Sequence, residues 1–173
     1  MLALVALTGA GPAWAALAPA ETDAFNGQTA PGFIVQTIDG STIDLKNYRG
    51  HPVLLNFFAS WCPPCREEIT ELMKLQQQYA PAGLVIVGVA TDAKLIPETS
   101  KDQERHDVEL LVKRLRIPYP VTIAQEELLR QYNFKGIPTI VFIHKDGQIV
   151  KVFYGYHTQE QLEPVVRKLF MGQ

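Results

Sequence analysis

The chain has 173 residues, 47% hydrophobic and 20% charged, with a formal net charge of −2. This length is enough for one domain with a substantial core. The small net charge gives no indication of nucleic acid or an anionic membrane surface as a partner. Two cysteines are too few for a disulfide scaffold, and their close spacing favours a catalytic pair.

The N-terminal segment differs from the rest of the chain. Residues 1–20 carry no charged side chain, and residues 2–7 are strongly apolar. Residues 13–15, Ala-Trp-Ala, form the small-x-small pattern of a signal-peptidase site. We therefore predict an export signal over residues 1–20 and a mature protein that begins near Ala16. An uncleaved membrane anchor is the alternative, although glycines and prolines suit a spanning helix of about 20 residues poorly.

Two short strands are predicted before the central part of the chain. Residues 21–31 have the composition of a short polar connector. The runs at residues 33–35 and 41–45 then flank Ile-Asp-Gly at residues 38–40, which is a turn pattern. This arrangement predicts a β-hairpin that extends the domain at its N-terminal side.

The central stretch joins a buried strand to a helix through both cysteines. Val53 to Phe58 is an apolar run typical of a buried strand, and apolar residues recur at helical spacing from residue 69 to 79. The cysteines of Cys62-Pro63-Pro64-Cys65 lie between them, at the helix N-terminus. The unpaired amides there stabilise a thiolate, which is the nucleophile of disulfide exchange. We expect Cys62 to be the exposed attacking residue and Cys65, about one turn further on, to be the shielded resolving thiol.

Three other interpretations of the cysteine pair are weaker. A disulfide that closes so short a loop adds only about 2 kcal/mol of stability in the chain-entropy model, which argues against a structural staple. A zinc site would require further ligands, and the sequence has neither a second Cys-x-x-Cys nor a close histidine pair. We therefore predict no metal. A pair of inert buried thiols does not suit a segment that contains Trp61 and two prolines.

The middle of the chain predicts a parallel pair of strands and a long loop. Residues 84–89 form a second buried strand, and the helix between the two strands makes a βαβ unit. Residues 91–107 are polar and charged and contain Pro97, so we predict an exposed loop. A surface insertion is the preferred interpretation of this loop, and a partner-docking segment is the alternative. Residues 108–115 then form a short helix face.

The C-terminal part of the sequence predicts three strands and two helices. The strands lie at residues 121–123, 140–143 and 149–154, and the helices at residues 125–132 and 158–170. Asp146-Gly147 is a hairpin turn between two of the strands. Thr158 and Gln161 have the spacing of a capping box at the start of the last helix. The four histidines are scattered, and none is predicted to lie in the site.

Three motifs together carry a resemblance to a known family. They are residues 57–66, Phe-Phe-Ala-Ser-Trp-Cys-Pro-Pro-Cys-Arg, then Gly136-Ile137-Pro138-Thr139, and then Asp146-Gly147. The sequence resembles the exported TlpA/ResA/CcmG-like thiol-disulfide oxidoreductases of the thioredoxin superfamily. The resemblance implies a thioredoxin-like α/β domain over residues 28–171, with a central mixed β-sheet flanked by helices and the N-terminal β-hairpin as an extension.

The resemblance also implies roles for particular residues. Cys62 is expected to be the nucleophile and Cys65 to resolve the mixed disulfide. Pro138 is expected to be a cis-proline that faces the disulfide and, with Ile137 and Trp61, to contact the substrate. An ordinary trans proline at a strand start is the alternative. No cofactor is implied.

Glu68 stands where the exported family tends to have a glutamate, three residues after the second cysteine. Three residues are nearly one helical turn, so Glu68 can lie on the Cys65 side of the helix. A desolvated carboxyl group has a raised pKa and can take the proton of the resolving thiol. The alternative is a solvated surface glutamate. Asn56 occupies the position of the buried aspartate of cytoplasmic thioredoxins.

The predicted function is disulfide exchange with protein substrates outside the cytoplasm. The Cys-Pro-Pro-Cys motif itself leaves open whether the pair oxidises or reduces its clients, and the resemblance to the family favours reduction. By analogy with the family, an apocytochrome c is one client, and a membrane thiol-disulfide protein is the electron donor. A peroxiredoxin of the AhpC/TSA type is an alternative, but its threonine and proline positions hold Ala59 and Leu55. A Sco-like copper carrier is another alternative, but it would require three residues between the cysteines, and here there are two.

Overall fold

The computed structural model describes residues 20–22, 27–96 and 98–171. The strands are β1 (Ala20–Thr22), β2 (Ile34–Gln36), β3 (Thr42–Asp44), β4 (Val53–Phe58), β5 (Val85–Ala90), β6 (Val121–Ile123), β7 (Thr139–Ile143) and β8 (Ile149–Tyr154). The helices are α1 (Pro63–Tyr79), α2 (Asp92–Leu95), α3 (Lys101–Leu115), α4 (Glu126–Gln131) and α5 (Gln159–Lys168). The predicted export segment lies outside the described residues except for Ala20, and no helix within them is long and apolar enough to cross a membrane.

The strands form a six-stranded mixed sheet in the order β1-β8-β7-β4-β5-β6. Strands β4 and β5 run parallel, as the predicted βαβ unit requires, and β7 lies antiparallel on the other side of β4. The predicted hairpin of β2 and β3 forms a separate two-stranded sheet. The thioredoxin-like α/β fold with an N-terminal hairpin extension is therefore confirmed.

Strand β4 is the centre of the molecule because both of its faces are buried. All six of its residues are buried, and they alternate between two apolar cores. Leu54 and Phe58 face the core that contains residues of α1, α3 and α5. Leu55 and Phe57 face the core formed with α4 and the hairpin. This two-sided burial explains why the strand is an apolar run that only Asn56 interrupts.

The hairpin is attached to the edge of the main sheet at β6. The Ile38 main-chain N–H donates to the Val121 carbonyl at 2.8 Å, and the Thr122 hydroxyl donates to the Gln36 carbonyl at 2.7 Å. At the hairpin turn, Asp39 accepts a hydrogen bond from the Ser41 N–H at 3.0 Å. The hairpin thus covers part of an edge strand that would otherwise expose unpaired main-chain groups.

Two predicted segments are corrected by the structure. Residues 91–107 do not form a loop, because α2 occupies residues 92–95 and α3 begins at Lys101. Ser100 caps α3 by accepting the Gln103 N–H at 3.1 Å, and such a cap is a helix start that the polar composition concealed. Pro97 lies outside the described residues. The second correction is β1, since part of the predicted connector pairs antiparallel with β8.

Candidate active site

The N-terminus of α1 holds both cysteines. Cys62 is the N-cap residue, and its Sγ accepts a hydrogen bond from the Cys65 N–H at 3.3 Å. Pro63 and Pro64 occupy the first helical positions, where a missing N–H costs no helical hydrogen bond. The helix start therefore directs a main-chain donor at the sulfur of Cys62, which is the arrangement that stabilises a thiolate.

The two cysteines form a disulfide, with Cα atoms 5.3 Å apart. Cys62 retains 4% of its accessible surface and Cys65 retains none. Cys62 is thus slightly more accessible than Cys65, but it is buried in this oxidised form and not exposed as the sequence predicted. Trp61, immediately before the disulfide, is 45% exposed.

The loop before β7 lies at the same end of the sheet as the disulfide. The peptide bond between Ile137 and Pro138 is cis, as predicted. Thr139 pairs with Phe57 of β4, so Pro138 lies beside the end of the strand that leads to Cys62. Ile137 packs against the core cluster that contains both cysteines. The structure therefore brings the second motif of the sequence next to the first.

Glu68 is fully buried on the inner side of α1. Its Oε1 accepts a hydrogen bond from the His157 main-chain N–H at 3.0 Å. Its Oε2 is buried and has no hydrogen-bond partner among the described parts of the chain. Burial raises the pKa of Glu68, and the contacts with His157 oppose that rise. The alternative of a solvated surface glutamate is therefore wrong for this residue.

Uncharged polar groups complete the surroundings of Glu68. Asn56 lies opposite Gly88 across the β4–β5 pair, and a Cβ at Gly88 would lie 3.5 Å from the Tyr119 ring. Burial, followed by the charge of Glu68, raises the pKa of Tyr119. The Tyr119 hydroxyl and the Asn56 side chain are both buried, and the contact with Asn56 opposes the rise in the pKa of Tyr119. The carboxyl group thus lies in a small polar region enclosed by apolar residues.

A second buried carboxylate, which we did not predict, holds the loop that carries Cys62. Both Asp92 oxygens lie 3.0 Å from the Ser60 N–H, and the Ser60 hydroxyl also donates to Asp92. Asp92 is 2% exposed, and burial raises its pKa. Glu104 of α3 supports the same corner by accepting the Ala93 N–H at 3.0 Å. Asp92 therefore fixes the main chain two residues before the predicted nucleophile.

Replacing Asp92 with alanine is expected to lower the free energy of unfolding by about 2 kcal/mol. The substitution would remove the acceptor of two hydrogen bonds from Ser60, and bonds to charged groups typically contribute about 1.5–3 kcal/mol. Urea unfolding of the oxidised protein measures the change. Asp102→Ala, at an exposed position on α3, is the control. A loss no larger than that of the control would contradict the assigned role of Asp92.

Sequence reasoning missed Asp92, Tyr119 and His157, because each lies far from the cysteines in the chain. His157 is 89 positions from Glu68 in sequence and still contacts it. No local spacing rule links such residues, although the Thr-Asp pair at the end of β5 marks a strand end where functional side chains gather. In the described ranges, no three His, Cys, Asp or Glu side chains lie close enough together to hold a metal ion.

The sheet, the disulfide at the start of α1 and the cis-proline loop define a class of protein, the thiol-disulfide oxidoreductases of thioredoxin-like fold. Comparison with known sequences agrees with this class. Residues 26–152 match the AhpC/TSA family, and the chain belongs to that family. The family match does not favour a peroxidase here, because Ala59 and Leu55 replace the threonine and proline that the peroxidase alternative requires.

Curated relatives are named as thiol-disulfide oxidoreductases or as thioredoxin-like proteins. The thiol-disulfide oxidoreductase ResA of Bacillus thuringiensis subsp. konkukian is 32% identical over 144 residues, which are 83% of this chain and 78% of that protein. The thioredoxin-like protein YneN of Bacillus subtilis is 31% identical over 137 residues, covering 79% of this chain and 76% of that protein. The chain is an enzyme that exchanges thiols and disulfides.

Solved structures show the same likeness in three dimensions. A thiol:disulfide interchange protein of the thioredoxin family from Chlorobium tepidum TLS superposes with a TM-score of 0.73 at 30% identity, covering 83% of this chain and 97% of that one. A putative thiol:disulfide interchange protein DsbE from Chlorobium tepidum gives 0.71 at 26% identity, covering 83% and 96%. Both cover nearly their whole length, so the shared unit is the complete thioredoxin-like domain.

Proposed function

We propose that the protein is an exported reductant of protein disulfides, with Cys62 as nucleophile, Cys65 as resolving thiol and Glu68 as proton acceptor. The observation that carries the proposal is the disulfide at the start of α1, with a fully buried carboxyl group one helical turn further on. An apocytochrome c is the client class implied by the resemblance to TlpA/ResA/CcmG-like proteins.

The reaction begins from the reduced dithiol. The Cys62 thiolate attacks one sulfur of the client disulfide, the client S–S bond breaks, and the second client sulfur leaves as a thiolate that takes a proton from water. Cys62 and the client are then joined by a mixed disulfide. Cys65 next loses its proton and attacks the Cys62 sulfur, which releases the first client sulfur as a thiolate. The client gains two electrons, and the Cys62–Cys65 disulfide forms.

Glu68 acts in the second step. Cys65 is fully buried, so water is poorly placed to remove its proton. The carboxylate of Glu68 takes the proton on Oε2, the oxygen that has no partner in the described structure. The raised pKa of Glu68, caused first by burial, brings its proton affinity closer to that of a thiol. After the exchange, Glu68 returns the proton to solvent.

Contact with the client is assigned to Trp61, Ile137 and Pro138. Trp61 is the exposed apolar residue next to the disulfide, and the main chain at Ile137 lies beside the end of β4. An extended client segment bound along this loop can form main-chain hydrogen bonds while its sulfur approaches Cys62. Main-chain hydrogen bonds depend little on the side chains of the client, which suits a reductase that acts on several proteins.

The protein is proposed to act outside the cytoplasm. Residues 1–20 have the apolar composition of an export signal, and a retained segment would attach the domain to the membrane. A reductant in an oxidising compartment must be recharged, so its partner is a membrane protein that delivers two electrons and two protons to the disulfide. That donor dithiol reduces Cys62–Cys65 by the reverse of the client reaction.

The direction of exchange is tested by the equilibrium reduction potential of the Cys62–Cys65 pair. The oxidised and reduced forms are equilibrated in a thiol redox buffer and followed by the fluorescence of Trp61, the residue before Cys62. A reductant is expected to have a potential of about −250 mV or lower. A value between about −180 and −120 mV would mean an oxidant or isomerase and would overturn the reductant proposal.

A further inference from the structure

His157 lies against Glu68 although no sequence pattern connects the two. It is in the segment between β8 and α5 and is 3% exposed. Its main-chain N–H donates to Glu68 Oε1 at 3.0 Å, and its ring Nδ1 lies 3.9 Å from the same oxygen. One residue therefore presents both a main-chain dipole and an imidazole to one oxygen of the buried carboxyl group.

The orientation of the imidazole is fixed by two further contacts. The ring stacks on Phe153 of β8, with centroids 4.4 Å apart and an angle of 18° between the planes. Nδ1 lies 2.8 Å from the Gly155 carbonyl oxygen, which can only accept a hydrogen bond. Nδ1 must therefore carry a hydrogen in this geometry, whether the ring is neutral or charged. Because this N–H is donated to Gly155, the imidazole makes no hydrogen bond to Glu68, and at 3.9 Å from Oε1 it acts on the carboxyl group only through space.

We propose that His157 is a positioning residue for proton transfer at Glu68: its main-chain N–H holds Oε1, and its imidazole, 3.9 Å from the same oxygen, stabilises the carboxylate through space. This leaves Oε2 as the oxygen that takes the Cys65 proton. The proposal rests on the proposed role of Glu68 as proton acceptor. His157 exchanges no proton in this step. Its contribution is to stabilise the carboxylate so that Glu68 is ionised when the resolving step requires a base.

The other groups around Glu68 do not supply this stabilisation. The Tyr119 hydroxyl and the Asn56 amide lie on the sheet side, and both are uncharged. Tyr156, next to His157, has its pKa raised by burial and by several glutamates, including Glu68. Glu67 and Glu71 of α1 are themselves acidic. Among these groups His157 is the one whose contacts lower the pKa of Glu68.

The test compares pH profiles of disulfide exchange for native protein, His157→Leu and His157→Gln. Without the imidazole the pKa of Glu68 is expected to rise, so the acid limb of the profile should move to higher pH by about 1 unit or more. At pH values below the acid limb, the variant should be slower than the native protein by about tenfold for each pH unit by which the limb moves. The main-chain N–H remains in all variants, so the comparison isolates the imidazole. His157→Gln keeps a polar donor and should shift the limb less.

Two controls separate positioning from a structural effect. His106→Leu removes an exposed imidazole from α3 and should leave the profile unchanged. His157→Leu made in a Glu68→Gln background should cause no further shift, because a residue that acts through Glu68 has no effect once the carboxyl group is gone. If His157→Leu fails to fold, the same comparison is made with His157→Gln.

The outcomes distinguish the two proposals. A shift in the native background that disappears in the Glu68→Gln background supports the assignment of His157. No shift, or an equal shift in both backgrounds, overturns it and leaves Glu68 as the acceptor if Glu68→Gln alone changes the profile. If Glu68→Gln alone has the same pH profile of disulfide exchange as the native protein, the proposed role of Glu68 is wrong, and so is that of His157.

Discussion

Replacing Cys62 with serine is expected to lower the rate of client disulfide reduction by at least about three orders of magnitude. The thiolate is the attacking group, and a serine hydroxyl neither ionises near neutral pH nor forms a stable bond to sulfur. Reduction of insulin disulfides in the presence of a recycling thiol measures the loss.

Cys65→Ser should block a later step than Cys62→Ser does, because the attack of Cys62 on the client disulfide remains possible. The variant is expected to accumulate a mixed disulfide between Cys62 and the client, since the thiol that resolves it is absent. Mass spectrometry under non-reducing conditions detects this adduct as one client joined to one protein. Adduct formation by Cys62→Ser instead of Cys65→Ser would reverse the assigned roles. The accessible surface favours the assignment as given, since Cys65 is fully buried.

Glu68→Gln is expected to slow the resolving step by about 10²-fold near neutral pH and to remove its dependence on an acidic group. A positioned general base typically contributes about 10²–10⁴-fold, and the amide has no basic oxygen to replace it. Stopped-flow measurement of mixed-disulfide decay across the pH range follows the step directly. Glu67→Gln, at the exposed neighbouring position, is the matched control and should behave as the native protein.

The same substitution should stabilise the protein above about pH 4.5. Burial raises the pKa of Glu68 above its ordinary value of 4.5, so the folded state keeps a proton that the unfolded state releases. The native protein therefore loses stability as the pH rises from about 4.5 towards the pKa of Glu68 in the folded state. The loss is about 1.4 kcal/mol for each pH unit by which folding raises that pKa. Glu68→Gln lacks this loss.

Denaturant unfolding at several pH values measures this linkage. The difference in free energy of unfolding between Glu68→Gln and the native protein should be small in acid and grow with pH. A difference that is constant with pH would mean that the carboxyl group is not desolvated in solution. Gain of stability together with loss of activity is the pattern expected when a buried charge is retained for function.

The sequence determined the elements that local patterns specify. The two-sided burial of β4 required a run of apolar residues, which only Asn56 interrupts, and the two cysteines with the prolines between them marked the start of α1. The Asp-Gly turn and the capping box at Thr158 likewise specified β7–β8 and the start of α5, where the Gln161 side chain accepts the Thr158 N–H at 2.9 Å. Each of these patterns acts within a few residues, so one sequence suffices to recognise it.

The two elements that were missed have different reasons. Strand β1 exists because the distant strand β8 supplies its hydrogen bonds, and three residues carry no periodicity that would reveal it. Helix α3 has a mostly polar surface, so its composition resembled a loop and concealed the local cap at Ser100. Tertiary context decided β1, whereas the start of α3 was encoded in its own sequence.

The residues of the candidate site also fall into two groups, those that the sequence indicated and those that only the tertiary structure revealed. The spacing of the two cysteines at a strand-to-helix junction was visible in the sequence itself, whereas Pro138 and Glu68 were indicated by the resemblance to the TlpA/ResA/CcmG-like proteins. The sequence did not determine that Glu68 would be fully buried, nor that His157 and Asp92 would hold the carboxyl group and the Cys62 loop. Those contacts are set by how α1 packs against the end of β8 and the end of β5. Desolvation of the Glu68 carboxyl group and hydrogen bonds between residues far apart in the chain arise only where separate elements meet.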